Sequence, residues 1–366
     1  MLQQLARLTA PVPAAGERAC AIAVYANADD RAIAAADIGY EGVACVDDVG
    51  RAVVLMSDVW EATRIPLVRA WAETLTDFLR YMQLPDGRFV NFIVDWAGHR
   101  NDHGPTSFAG GGFWHARGVR GLAKAWLALG DVAARDGVVR GLPLIREARD
   151  VPPDIRAIHA LMAVELLRAG EFAELRPDLE RWVDEIASSR VGDVLHDNPD
   201  EAEPHLWGHV QEGVLAEAGA LLTRPELIGV ARASALAYLR PLIESGFDAP
   251  TVQPYGVASA VYSVDRLAAI THDAVFDDLA RKARSWFHGR NPAGLPVCRT
   301  GTGRIHDGID DGVVNPHSGA ESNIVGAQAL IDEVIAALPS SLPLIEASFA
   351  PDVRARLEIL PASRTA

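Results

Sequence analysis

The sequence predicts an all-α protein built as a curved stack of about six helical hairpins that closes into a ring. Apolar residues recur at i, i+3, i+4 and i+7 in segment after segment, the pattern of an amphipathic helix. Alternating, strand-like patterns are almost missing. Short connectors and longer polar loops also follow one another in a regular rhythm. Because hairpins bury their apolar faces only by stacking, we expect one domain over residues 1–366, with the longer loops gathered at one rim.

Residues that favour helix ends mark the boundaries of the predicted helices. Pro66, Pro153 and Pro225 stand near predicted starts, where proline costs least. Asp47 and Asp131 are good N-terminal residues. The predicted helices are Ala14–Ala36, Asp47–Arg64, Pro66–Gln83, Gly112–Leu129, Asp131–Arg146, Pro153–Ala169, Glu171–Ser189, Leu206–Leu222, Pro225–Ser245, Val257–Thr271, Ala274–His288 and Gly319–Ala337.

The connections carry most of the polar residues. Arg88–Asp95 alternates and predicts a small hairpin arm. The last connection is roughly 30 residues long, and loops of that length are usually functional or disordered. Its many charged and polar residues predict a surface that delivers Glu321 to the first turn of a helix, whose positive end favours an ionised carboxylate. The longer loops are His99–Gly111, Gly192–His205, Asp248–Gly256 and Asn291–Ser318.

Composition excludes several classes of function. A net charge of −15 argues against a nucleic-acid partner, which would need a basic face. Three cysteines fit neither a disulfide framework nor a zinc cluster. We find no signal-peptide pattern and no apolar run of membrane-spanning length, so we expect a cytoplasmic protein with no membrane partner. Gly110–Gly112 lacks the spacing of a dinucleotide fingerprint and no Walker A motif occurs, so we expect no cofactor.

The candidate catalytic residues are carboxylates near the two ends of the chain. Asp47 and Asp48 open a predicted helix, where one could cap the helix while the other projects into a site. Gly50 allows close approach of another backbone or a ligand, and Arg51 can hold a carboxylate. Nucleophile motifs are missing. Carboxylates on separate segments, with Trp and His among them, are typical of carbohydrate chemistry, in which an acid protonates the leaving oxygen and a base activates water.

Aromatic and polar residues on the loops are candidates for binding an oligosaccharide. Trp96, Trp114 and Trp207 could supply flat faces for sugar rings. His205 and His209 are spaced i, i+4, but no further ligand falls at zinc spacing, so we expect no metal site. The complete set of candidate binding residues is Arg51, Asn91, Asp95, Trp96, Asp102, His103, Trp114, His115, His205, Trp207, His209, Tyr255, Arg290, His306, Asp307 and His317.

Four stretches carry a resemblance to a known family. Val46–Ala52 and Tyr81–Phe92 resemble the pattern of bacterial six-hairpin glycosidase-like proteins. Trp286–Pro292 and Ser318–Ser322 resemble the end of that pattern and, more distantly, the last helices of glycoside hydrolase family 9. The resemblance spans roughly residues 40–130 and 280–335 and implies an (α/α)6 toroid. It also implies an inverting hydrolase in which Asp47 or Asp48 is the base and Glu321 is the acid. The spacing of the aspartates departs from that of family 9.

We therefore expect a glycoside hydrolase that acts on a short oligosaccharide. A sugar epimerase or polysaccharide lyase is the first alternative, because histidine transfers protons well at neutral pH. Its candidates are His115, His205, His209, His306 and His317. The second alternative is a carbohydrate-binding toroid without catalytic activity.

Overall fold

The computed structural model describes residues 1–29, 32–33, 41–197 and 204–358, and this part of the chain is predominantly helical. The predicted all-α class is confirmed. Pro66, Pro153 and Pro225 each occupy the first position of a helix, as predicted. The helices are α1 Gln3–Leu8, α2 Val46–Thr63, α3 Pro66–Met82, α4 Gly112–Leu129, α5 Val132–Glu147, α6 Pro153–Arg168, α7 Arg176–Ser188, α8 Gln211–Leu222, α9 Pro225–Ser234, α10 Arg240–Glu244, α11 Pro254–Thr271, α12 Ala274–Ser285, α13 Ala320–Ala329, α14 Ile331–Ser348 and α15 Pro351–Glu358.

The strands of the described residues are two or three residues long and lie in the connections. The predicted arm at Arg88–Asp95 contains one of them, β6, which pairs with β5 on one side and β7 on the other. The strands are β1 Thr9–Pro11, β2 Cys20–Ile22, β3 Tyr25–Ala26, β4 Ala32–Ile33, β5 Ala44–Cys45, β6 Phe92–Ile93, β7 Arg100–Asn101, β8 Arg190–Val191, β9 Val194–Leu195, β10 Thr251–Val252, β11 Cys298–Arg299, β12 Arg304–Ile305, β13 Ile309–Asp310 and β14 Val313–Val314.

The predicted helix Ala14–Ala36 is wrong over its described residues. A short 3-10 turn at Pro13–Ala15 is followed by β2 and β3. Strand β2 is buried at all three residues and pairs antiparallel with β1. Alanine favours helices, but its small side chain can also be buried in a strand, and tertiary pairing overrides its helix propensity here. Residues 30–31 and 34–36 of that predicted helix lie outside the described residues.

The predicted helix Gly319–Ala337 is two helices. Leu330 leaves the helical conformation (φ −106°, ψ 29°), and α13 and α14 meet at an angle of 103°. The start predicted for the helix Gly319–Ala337 is correct, and Glu321 lies in the first turn of α13. Among the described helices, none is alone both long and apolar enough to cross a bilayer, although the bent pair α13 and α14 meets those two criteria when taken together.

The chain forms two compact units. Unit 1 contains Met1–Ile145, Arg299–Ile305 and Pro316–Ala366. Within it, α2 packs against α3, α4, α13 and α14. The fully buried ring of Trp71 on α3 packs edge to face on Phe349, with 4.8 Å between the ring centroids. A buried aromatic ring contributes a large apolar area to a core.

Unit 2 contains Arg146–Cys298 and His306–Asn315. Its helices pack as consecutive pairs, α6 with α7, α8 with α9 and α11 with α12, as the rhythm of short connectors predicts. Trp182 and Trp286 are fully buried in its core. The single domain over residues 1–366 stays a prediction.

Candidate active site

The start of α2 presents two aspartates whose side chains do not cap the helix. The cap is Cys45, whose Sγ accepts a hydrogen bond from the Asp48 N–H at 3.4 Å. The Asn91 Oδ1 accepts another from the Asp47 N–H at 3.3 Å. Since other groups satisfy these backbone donors, the two carboxylates are directed to other partners.

Close packing of two helices brings an arginine to these carboxylates. A Cβ placed on Gly50 of α2 would lie 2.6 Å from the carbonyl oxygen of Arg117 on α4. A Cβ on Gly121 of α4 would lie 3.0 Å from the Cα of Gly50. The backbones of α2 and α4 therefore pack closely at these two glycines, closer than residues with a Cβ would allow. This approach puts the Arg117 guanidinium beside Asp47.

Two arginines and three carboxylates form one ion cluster in unit 1. Arg117 Nη1 donates to both oxygens of Asp47, at 2.8 and 2.6 Å. Arg51 Nη2 donates to Asp47 Oδ2 and to Asp48 Oδ1, both at 2.8 Å. Arg51 Nη1 donates to Glu321 Oε1. The three carboxylates that the sequence predicts to be catalytic, Asp47, Asp48 and Glu321, thus all bind the guanidinium group of Arg51.

Burial and charge shift the pKa values of the two neighbouring aspartates in opposite directions. Burial would raise the pKa of Asp47, but the guanidinium groups of Arg117 and Arg51 outweigh it and lower that pKa. Burial also raises the pKa of Asp48, and Arg51 opposes this only in part. The nearby carboxylates of Glu321 and Asp47 raise it further, to about 7. Near neutral pH, Asp47 is ionised while Asp48 can hold a proton.

Glu321 is the most exposed carboxylate of the cluster, with 27% of its side chain exposed against 4% for Asp48. Its helix is held in register by Asn323, a fully buried residue one turn into α13. The Asn323 amide donates to the carbonyls of Gly319 at 2.7 Å and Ile305 at 3.1 Å, and to the Ser318 Oγ at 2.9 Å. Its oxygen accepts from the Ile305 N–H at 2.8 Å. The loop before α13 is thereby fixed to the first turn that carries Glu321.

Unit 2 holds a buried acid–histidine pair at the start of α8. His209 Nε2 lies 3.0 Å from Glu212 Oε1, and the Ser234 hydroxyl donates to the same oxygen at 2.7 Å. All three side chains are fully buried. Burial would lower the pKa of His209, but the charges of Glu212, Asp197 and Asp154 raise it. The pKa of Glu212 is lowered, against its burial, by His209 and Ser234. These opposite shifts favour an imidazolium beside a carboxylate.

The other predicted site residues fall in several environments. Asn91 lies beside Asp47, as described. His115 is buried, with its Nε2 3.2 Å from the Gly141 carbonyl oxygen, and burial lowers its pKa, so it is a packing residue between α4 and α5. Asp95 and Asp102 form exposed pairs with histidines, at 2.8 Å to His99 and 3.1 Å to His103. The half-buried residues are Trp96, Trp114, His205, Trp207, Tyr255, His306 and Asp307, and Arg290 and His317 are exposed.

Several residues of these clusters were not predicted. Arg117 follows Trp114 and His115 but carried no motif, and it reaches Asp47 from 70 positions away in the sequence. Glu212 lies in the first turn of α8, three residues after His209, and this short spacing at a helix start could have revealed the pair. Asn323 had no sequence signal.

Solved structures with the same fold exist at low sequence identity. A cellobiose 2-epimerase from Bacillus thermoamylovorans B4167 superposes with a TM-score of 0.69 at 12% identity, covering 91% of this chain and 96% of that one. A sugar epimerase from a ruminal bacterium gives 0.67 at 11% identity, covering 86% and 92%. A D-mannose isomerase gives 0.66 at 11% identity, covering 92% and 96%. A family 88 glycosyl hydrolase and a polysaccharide lyase give 0.57 and 0.58.

These likenesses confirm the predicted (α/α)6 toroid, and with it the resemblance to six-hairpin glycosidase-like proteins at the level of the fold. No protein-family model matches the sequence, and no curated protein matches it either. At identities near 12%, the fold is what these structures share with this chain.

Proposed function

We propose that this protein is an enzyme that acts on a carbohydrate and that it hydrolyses a glycosidic bond. The structures of similar fold are named as epimerases, an isomerase, glycosyl hydrolases and a lyase, all of which act on sugars. The observation that carries the choice of hydrolysis is the meeting of Asp48 and Glu321 on Arg51. Glycoside hydrolysis needs two carboxyl groups of opposite protonation.

In this proposal Asp48 is the proton donor and Glu321 is the base. A carboxyl with a pKa of about 7 holds its proton near neutral pH and can give it to a leaving oxygen. Glu321 lies in the first turn of α13, whose positive end favours an ionised carboxylate, and it accepts a hydrogen bond from Arg51, so it can serve as the base for an attacking water. These roles are the reverse of those implied by the resemblance to family 9. Inversion requires the two carboxyl groups to lie about 6.5–9.5 Å apart, with room for a water between them.

Asp47 and Arg117 are positioning residues in the same proposal. Asp47 is ionised and shared by two guanidinium groups, which makes it a poor base. Its charge helps to raise the pKa of Asp48. Arg117 is 7% exposed and holds Asp47 through both oxygens. Asp47 thus helps to keep the acid protonated, and Arg117 holds Asp47 in place.

The test is turnover of neutral oligosaccharides in H₂¹⁸O, followed by mass spectrometry. We expect one ¹⁸O in the newly released reducing sugar. Glu321→Gln should lower kcat about 10²- to 10⁴-fold without unfolding the protein. The control is Glu226→Gln, an exposed carboxylate in the first turn of α9, which should keep full activity. Retention of activity by Glu321→Gln would exclude its proposed role.

A second candidate function is epimerisation or isomerisation of a sugar, and the His209–Glu212 pair favours it. A charged imidazole held by a carboxylate is suited to proton transfer near neutral pH. This reaction cleaves no glycosidic bond and adds no water, so substrate and product have the same mass in unlabelled water. When the transferred proton exchanges with solvent, the reaction introduces one deuterium in D₂O. If products carry deuterium but no added water, and if His209→Gln removes this activity while Glu321→Gln keeps it, the second function replaces the first.

A further inference from the structure

Three side chains from separate segments of unit 2 converge near the start of α8. Asp154 belongs to the first turn of α6, Asp197 follows β9, and His205 precedes α8. One ligand atom from each lies within 4.8 Å of the other two. From this geometry we infer a divalent cation site, formed by Asp154, Asp197 and His205, that binds Zn²⁺ or Mn²⁺.

Asp197 is the central member of this trio. It is fully buried, and its Oδ2 lies 2.8 Å from His205 Nδ1 and accepts the His205 N–H at 2.9 Å. Its Oδ1 is buried without a hydrogen-bond partner. A buried acceptor left unsatisfied costs about 1–3 kcal/mol or more when charged, so an unpartnered carboxylate oxygen points to a ligand.

A second unpartnered group lies nearby. His209 Nδ1 is buried and has no hydrogen-bond partner, while the charge of the His209 ring interacts with those of Asp197 and Asp154. The ring therefore lies within electrostatic range of the trio but does not neutralise Asp197 through a hydrogen bond. With Asp154 also 4% exposed, two carboxylates are buried together. Buried charges are normally paired or coordinate a metal.

The donor set selects the class of cation. Two carboxylate oxygens and one imidazole nitrogen suit zinc or manganese, whereas calcium and magnesium favour oxygen ligands alone. Three protein ligands leave a coordination position for water or another ligand. The expectation of no metal, drawn from His205 and His209 as a sequence pair, did not include Asp154 and Asp197, which come from other segments.

The test measures binding of Zn²⁺ alone to the full-length protein, after treatment with a chelator, by titration calorimetry and thermal unfolding. We expect one equivalent to bind and Tm to rise by about 5 °C at a hundredfold excess over Kd. His205→Gln should weaken binding at least about tenfold. Because His205 is 39% exposed, this variant should fold normally. The isosteric Asp197→Asn should have the same effect.

The matched control is His99→Gln. His99 Nδ1 lies 2.8 Å from Asp95 Oδ2, the same separation as in the His205–Asp197 pair, but His99 is 74% exposed. If H99Q keeps full binding while H205Q and D197N lose it, the site is supported. Equal binding by H205Q and the parent protein, equal losses in H205Q and H99Q, or no change in Tm would each overturn it. None of these outcomes depends on the proposed sugar chemistry.

Discussion

Asp48→Asn should make the protein more stable at neutral and alkaline pH, although it replaces a buried ion-pair partner of Arg51. Asparagine has the shape of the protonated Asp48 and keeps an oxygen that can accept the 2.8 Å hydrogen bond from Arg51. It cannot ionise. The variant therefore isolates the free energy that the protein loses when Asp48 gives up its proton in the folded state.

The sign and size of the effect follow from the pKa of Asp48. It rises from 3.8 in the unfolded chain to about 7 in the folded state, so the folded state binds more protons between those values. The unfolding free energy of the parent protein thus falls as pH rises through this window. Each pH unit corresponds to about 1.4 kcal/mol, which gives at most about 4 kcal/mol for this group. D48N should lack that part of the pH dependence.

The assay is urea unfolding followed by circular dichroism, in steps from about pH 4 to about pH 8. The difference in unfolding free energy between D48N and the parent protein should grow with pH and level off above about pH 7. Asp47→Asn is the matched control with the opposite sign: because the pKa of Asp47 is lowered from 3.8, this variant should be less stable than the parent protein by an amount that stays nearly constant above about pH 4. A pH-independent difference for D48N would refute the assignment of the proton to Asp48.

Two further predictions concern the contact between α2 and α4. Gly50→Ala should cost about 1–3 kcal/mol in urea unfolding, because its methyl group would lie 2.6 Å from the Arg117 carbonyl oxygen. Gly229→Ala lies at an exposed helical position, where an added Cβ would have no neighbouring atom within 4 Å, and it should instead raise the free energy of unfolding by up to about 1 kcal/mol. If the two substitutions changed stability in the same direction, this reasoning would be contradicted. Arg117→Met should cost about 3–5 kcal/mol near neutral pH, because it removes one cation from the buried Asp47. The loss should shrink in acid as Asp47 takes up a proton, so a loss that is constant with pH would contradict it.

The sequence predicted helices well where the buried residues of a segment recur at helical spacing. Helices such as α3 and α12 carry one apolar stripe each and were predicted with nearly correct ends. The helix prediction for the Ala-rich segment after Ala14 failed because a run of alanines does not show which side is buried. Pairing of Cys20–Ile22 with Thr9–Pro11 decides the conformation of this segment. The break at Leu330 also has no local signal, since no proline or glycine stands there.

The candidate site shows the same division. Asp47, Asp48 and Glu321 could be selected because they are carboxylates at helix starts beside polar loops. Their protonation could not be predicted, because it depends on burial and on Arg117, which lies 70 residues from Asp47 in the sequence. The role of each carboxylate is thus set by tertiary contacts, and the residue types alone leave it open.

Three hydrogen bonds of Asn323 join the two ends of the segment between Ile305 and Ser318. Both of these residues are joined directly as well, since the Ser318 hydroxyl donates to the Ile305 carbonyl at 2.9 Å. The intervening twelve or so residues form an excursion from unit 1, that is, a loop whose two ends are held together. Doubling the length of such a loop costs only about 0.6 kcal/mol in closure entropy. Insertions should be tolerated only at its exposed tip, Asp311 and Gly312, because β13 pairs with β10 and Ile309 is buried, whereas α13 keeps its own anchor.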